Sequence, residues 1–307
     1  MITNTKLFPY HLDRDVNKIY FDAYLSTPSE FDRVAKIETA PAGNHYTEAE
    51  LSPLGALRGI DEGGAVTFDF PVEGHKKTIY YNKYGLAFQI TEEMAKDDLT
   101  SNFRGMPAKL GKSAALKREV EFWSLFNSGF DSETAWDGQY VFDTDHTTLK
   151  SGDTIKNEPD SNGSLSETTL QAAFEYFDGV GYGVKDEAGN PVLVRPKYLV
   201  VPSKLRWTAN QLMKNMMNIG SANRDLNTVA PGNGIVDDYE LIVSRWLTSD
   251  TAWFLLSDDH DFRFYWKDQA HMDSTDDWFT DSALFKVKMR FACFVMDYKG
   301  AYGNAGA

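Results

Sequence analysis

The chain has 307 residues, and 45 acidic against 31 basic side chains give it a formal charge of −14 at pH 7. That excess argues against gripping nucleic acid as the main task, because phosphate affinity rests on clustered Lys and Arg. Hydrophobics at 42% and aromatics at 14% exclude wholesale disorder, a lone cysteine excludes an internal disulfide framework, and no stretch approaches the ~18 apolar residues of a membrane span.

Residues 1–42 show weak periodicity, and the first fifteen lack the apolar core of a signal peptide, which suits a protein working without export. Phe8, Tyr10, Ile19, Tyr20, Phe21, Tyr24 and Phe31 are too many large side chains for a free tail. They predict an arm packed on the body or on a neighbour. Residues 43–90 predict an extended β excursion. Val66, Phe68 and Phe70 alternate with Thr67 and Asp69 as one strand, residues 71–74 supply a turn, and residues 76–90 return rich in β-favouring side chains. A two-stranded hairpin is marginal alone in water, so this one needs a surface to lie on.

Residues 91–130 form the most regular stretch. Leu99, Phe103, Met106, Leu110, Ala114, Val120, Trp123 and Phe126 make a helical stripe, with Thr91 as N-cap and Gly129 as stop. From 101 to 128 such a helix runs about 40 Å, long enough to be a spine. Gly105 and Pro107 should kink or restart it. A shorter helix follows a polar segment, with Ser164 and Glu167 at capping-box spacing and Leu170, Ala173, Phe174 and Phe177 inward. Residues 191–202 read as a buried strand, Ser203 as the cap of a third helix, and residues 235–247 with 252–256 as a hairpin. Residues 284–295 alternate within a strand whose 284–298 span is about 50 Å, a reach that matches the spine helix and predicts that the two pack side by side.

Candidate chemistry is thin. Residues 105–113, GMPAKLGKS, imitate a phosphate loop, but five residues separate the glycines where four are needed, and no strand leads in. Asp143, Asp145 and His146, and Asp258, Asp259, His260 and Asp261, could supply metal ligands or a carboxylate–histidine pair for a hydrolase. Neither group keeps a recognised ligand spacing, and both read more simply as polar loops, as do His271 and Asp273. Cys293 lies in an apolar run and reads as a buried, inert thiol. Lys286, Lys288 and Arg290 read as a solvated face or a ladder of ion pairs, with nucleic-acid contact as the minority reading. No catalytic, cofactor-binding or metal-binding residue is assigned, and no enzymatic activity is expected.

In their order the segments resemble the major capsid (head) proteins of tailed bacteriophages with the Hong-Kong-97-type fold, particularly the Mu-like major head subunit group. The resemblance rests on Glu62-Gly63, Tyr84-Gly85 to Phe88, Ile90 to Glu93 leading to Asp97-Asp98, and Val141 to His146. It continues with Leu165 to Leu170, Arg195 to Pro202, Asp225 to Asn227, Leu247 to Leu256, and Asp297 to Gly303. It implies an α+β capsid fold with an N-terminal arm over 1–42, an extended hairpin loop over 43–90 and a peripheral domain with the spine helix over 91–130. An α/β axial domain over 131–261 and a return to the peripheral domain over 262–307 would complete it. It further implies self-assembly into pentamers and hexamers of an icosahedral head around double-stranded DNA. A separate scaffolding protein, a portal and a maturation protease are implied partners, in the virion and, during assembly, in the host cytoplasm. The same fold family also builds encapsulin-like compartments for cargo proteins, the alternative from within the fold.

Overall fold

The structure is a computed structural model that describes residues 9–52, 54, 57, 59–91, 93–94, 105–185, 190, 192, 194–214, 229–230 and 239–307. Its chain folds into two compact units. One gathers the described parts of Met1–Tyr46, Ile79–Phe122 and Arg263–Cys293; the other gathers Thr47–Thr78, Trp123–Phe262 and Phe294–Ala307.

The first unit is a four-stranded sheet in the order β1 (Lys36–Thr39), β10 (Phe262–Asp277), β11 (Ser282–Val295), β4 (Asn82–Thr91). β1 runs parallel to β10, and β4 runs antiparallel to β11 with Phe285 opposite Phe88 and Met289 opposite Tyr84. Alternation sends one set of side chains to each face. On the apolar face rings run in sequence: Phe264 stacks on Phe291 at 4.8 Å and on Phe31 at 5.0 Å, and Phe31 meets Phe122 at 5.4 Å. Phe122 belongs to α2 (Met106–Asn127), so Phe31 is the wedge between the long helix and the long strands. A second contact is the Lys117 ammonium, 4.8 Å over the Tyr84 ring. The helix and the long strands are thus linked through Phe31, which stands between them.

Of the two forms expected at Gly105–Pro107, a kink or a restart, the described residues agree with the second, while the expectation for the N-terminal segment changes. Pro107 lies in the first turn of α2, where a missing N–H costs nothing. It therefore starts the helix, and at 22 residues the described helix is about 33 Å long. The expected portion at 95–104 lies outside the described residues. The N-terminal segment, whose periodicity was weak, contains a helix, α1 (Pro9–Ser26), with Tyr20, Ala23 and Tyr24 buried. It approaches α2 so closely that a Cβ on Gly111 would sit 2.5 Å from the Tyr20 carbonyl oxygen. Gly111, one of the two glycines of the false phosphate loop, is thus needed for helix contact. Behind α1, the buried Glu119 carboxylate accepts the amides of Glu30 (3.0 Å) and Phe31 (3.3 Å), opening the 3-10 turn Phe31–Arg33.

The second unit has a sheet in the order β12 (Ala301–Asn304), β9 (Trp253–Ser257), β7 (Pro196–Pro202), β8 (Glu240–Ser244). All five residues of β9 are buried, so both faces are covered. Trp253 and Leu255 join Leu199, Val201 and the inner side of α3 (Glu167–Phe177), namely Leu170, Ala173, Tyr176 and Phe177. Phe254 faces the other way, into Phe126 at 5.1 Å and Phe142 at 5.1 Å, while Phe126 stacks on Phe262 at 4.3 Å. β8 and β9 do not form the expected hairpin. β7 lies between them, parallel to β8 and antiparallel to β9, because it is apolar on both faces and takes the centre. The capping box of α3 is Ser166 with Thr169, two residues later than the spacing suggested. Ser203 opens a 3-10 turn, Ser203–Leu205, and α4 (Arg206–Lys214) follows it. Met216, expected on that helix, lies outside the described residues.

Candidate assembly surface

The extended segment is a hairpin of β2 (His45–Leu51) and β3 (Glu73–Tyr80). The expected strand over Val66, Phe68 and Phe70 is absent: the alternation is real, but no neighbouring strand supplies a ladder. Those three side chains are 69%, 85% and 72% exposed, and Ile60 and Val72 are about half exposed as well. Apolar side chains at this exposure on one loop make it a candidate interaction surface.

The base of the hairpin is fixed within the second unit. Lys77 of β3 inserts a side chain that is only 15% exposed. It donates to Glu133 Oε1 at 3.1 Å, to the Val295 carbonyl at 3.0 Å and to the Thr134 carbonyl. Glu50 of β2 faces His75 at 3.3 Å, and the exposed Asp69 meets Lys150 at 3.4 Å. The result is a firm root with an uncovered tip.

On the first unit, the sheet face away from the rings carries Lys286, Lys288 and Arg290. Lys288 pairs with Asp273 at 2.7 Å, which holds that carboxyl below its usual range, and Lys286 stands 3.9 Å from the same carboxylate. The expected ion-pair ladder exists at that end of the strand. At the other end Arg290 lies directly opposite Lys83 of β4. Like charges so placed destabilise a sheet by about 0.2–1 kcal/mol, and Arg290 reaches Asp268 only at 3.8 Å. Lys83, Lys267, Lys288, Arg290 and Asp268 help line a groove of about 720 Å³, with Tyr81 also in its lining.

The structure separates the residues that suggested metal chemistry. His146 is fully buried; its Nδ1 lies 2.6 Å from Asp137 Oδ2 and its ring stacks on Tyr298 at 3.7 Å. Its partner is thus Asp137, which sequence spacing did not single out, while Asp143 uses its carboxylate on the Thr144 amide. Of the second group, Asp258 pairs outward with Lys197, whereas Asp261 turns inward and accepts the amides of Met296 (3.1 Å) and Asp297 (3.2 Å). His260 is buried between Tyr198 and Phe262. His271 and Asp273 form an exposed pair at 3.3 Å. Among the described residues no group of three or more His, Cys, Asp or Glu could hold a metal ion. Burial raises the Asp297 carboxyl above its ordinary range, against the lowering effect of Lys299, and pushes the Tyr298 phenol up. These groups tie loops together. Cys293, expected to be buried, is half-buried at the end of β11.

A profile of the family described as phage capsid protein matches residues 77–304, well over half of the chain and parts of both units. The chain belongs to the phage capsid protein family. The Mu-like prophage FluMu major head subunit of Haemophilus influenzae is 25% identical over 161 residues, which is 52% of this chain and 50% of that protein. The match thus spans about half the length of that relative. Among solved structures, the capsid of Cyanophage P-SCSP1u aligns with a TM-score of 0.57 at 13% identity, covering 91% of this chain and 88% of that one. A virus-like particle from Pyrococcus furiosus aligns with a TM-score of 0.52 at 8% identity, covering 95% and 98%. At these identities the likeness is one of fold, and the fold is the Hong-Kong-97-like fold of phage major capsid proteins. Among the described residues no helix is long and apolar enough to cross a membrane.

Proposed function

We propose that this capsid-family chain is a major head subunit whose copies associate as pentamers and hexamers into an icosahedral shell enclosing double-stranded DNA. The work is structural, with no catalytic step. The observation that carries this reading is the family match over residues 77–304. The uncovered hairpin loop agrees with it, because Val66, Phe68 and Phe70 would gain cover only from a neighbouring copy. In this reading the first unit is the core of a peripheral domain, the second unit an axial domain, and the N-terminal segment an arm. A scaffolding protein, a portal and a maturation protease would act on the assembling shell in the host cytoplasm.

Light scattering and negative-stain microscopy of the purified full chain test the proposal. Closed particles of many subunits are expected, while a monomer or small dimer would refute it and favour a soluble enzyme. Replacing residues 59–70 by a short Gly-Ser linker spares β2, β3 and Lys77. The variant should fold and form no shells. Particles taken from cells should protect DNA from nuclease; enclosed protein and no DNA would instead indicate a cargo compartment.

A further inference from the structure

The groove on the first unit concentrates cations, of which Lys288 already pairs with Asp273 at 2.7 Å and Arg290 stands 3.8 Å from Asp268. Lys83 and Arg290 face each other across paired strands. Lys83 has no carboxylate partner among the described residues, and Lys267 spends its ammonium on the Pro41 carbonyl at 2.7 Å and the Tyr81 ring at 5.4 Å. A chain of net charge −14 nevertheless gathers these cations with Lys288 around one concave surface. Opposed like charges are tolerated where an anion sits between them, since each then gains a charge-assisted contact.

The chain also carries a matching feature. At the hairpin loop Gly64 N–H donates to the Asp61 carbonyl at 2.8 Å, with Gly63 in the left-handed region at φ 79°. This tight turn presents Asp61 and Glu62 side by side, both exposed and neither with a cation partner among the described residues. Two adjacent carboxylates on a turn are a compact acidic knob, and the groove is a cationic socket. We infer that the Asp61–Glu62 turn of one copy docks into the Lys83–Lys267–Arg290 groove of another copy.

This inference rests on the shell reading and names the surface that receives the hairpin loop. The apolar residues at 66–70 would supply contact area beside it, while the charges fix register and orientation, the role that electrostatic complementarity plays best at interfaces. Such a contact weakens as salt screens it.

The test uses the full-length protein. Particles are assembled from an equal mixture of nitrogen-15-labelled and unlabelled subunits, treated with a carbodiimide, which joins carboxylate to amine with no spacer, and digested for mass spectrometry. The expected product links the peptide containing Asp61 and Glu62 to one containing Lys83, Lys267 or Lys288, with labelled and unlabelled halves mixed. Asp61→Asn with Glu62→Gln should abolish it. In parallel, Asp61→Lys with Glu62→Lys should lower particle yield at least tenfold at low salt, as should Lys83→Glu with Arg290→Glu. The four changes together should recover most of that yield. Particles that lack the link, or carry it only within single-label chains, overturn the docking and leave the shell reading intact. Particles in which Lys83→Glu with Arg290→Glu removes bound DNA and no link forms would assign the groove to phosphate instead. If the unaltered protein forms no particles, the shell reading fails and the docking fails with it.

Discussion

Lys77→Met removes one ammonium, keeps the apolar stem, and should loosen the root of the hairpin. The native ammonium makes three contacts: Glu133 at 3.1 Å, the Val295 carbonyl at 3.0 Å and the Thr134 carbonyl. Hydrogen bonds to a charged group are worth about 1.5–3 kcal/mol each, and breaking a fully buried pair by removing one partner costs about 3–5 kcal/mol. Glu133 is 30% exposed, so its carboxylate regains some water when Lys77 is lost. A net cost of about 2–3 kcal/mol follows, or about 30- to 150-fold in the hairpin's opening equilibrium at about 1.4 kcal/mol per tenfold. Hydrogen exchange of the β3 amides reads that equilibrium directly. Lys76→Met is the control. Its pair with Glu73 at 2.6 Å has both side chains near 60% exposed, and such surface pairs are worth less than about 1 kcal/mol. If Lys77→Met speeds β3 exchange no more than Lys76→Met, Lys77 is not the anchor.

Pro107→Ala should leave the unfolding midpoint nearly unchanged, because Pro107 sits in the first turn of α2 and breaks no hydrogen bond there; a large loss would show that its ring has a packing role. Gly111→Ala should cost about 1–3 kcal/mol of overpacking, seen in denaturant titration, since the new methyl would press on the Tyr20 carbonyl and the Tyr24 amide. Wild-type stability at this value would mean that α1 is not held against α2 in solution. Asp297 gives a pH prediction. Burial raises its folded pKa above the ordinary 3.8, so the folded state binds more protons there and the group's contribution to stability falls as pH rises through that folded value. Asp297→Asn keeps an oxygen to accept the Lys299 amide and removes the charge. The variant should gain on the wild type as pH is raised from 4 to 8, and a difference independent of pH would refute the assignment.

How much of this was legible depended on whether the decisive neighbour lay nearby in the chain. The alternation of Phe285, Val287, Met289 and Phe291 was enough to place β11, since a half-covered strand writes its own pattern. The long helix was legible for the same reason. The strand across Val66, Phe68 and Phe70 was misread because alternation reports which side chains want cover, and a strand also needs a ladder partner. β8 and β9 were misread as a hairpin because chain proximity does not reveal that β7 takes the place between them. His146 was noticed, but Asp137 was not. A carboxylate nine residues upstream in a turn carries no local signal, and only the fold brings it to 2.6 Å. Lys83 opposite Arg290 is a register fact, and register belongs to the sheet.

Val66, Phe68 and Phe70 by themselves hold two copies together only weakly. Burying one large apolar side chain gains about 1.5–3 kcal/mol, so Val66, Phe68 and Phe70 together offer less than about 9 kcal/mol even at full cover. Association costs an estimated 4–15 kcal/mol before any loop is ordered. A single such contact therefore lies near balance, and the charged turn adds direction more than strength. Near balance is what ordered assembly of a closed shell requires. A misplaced subunit held by one contact can leave, whereas one held by several neighbours at once gains each later contact without paying the full association cost again. On this argument a subunit with strong pairwise contacts would build faster and worse, and filling the loop with further large apolar residues should raise aggregation before it raises the yield of closed particles.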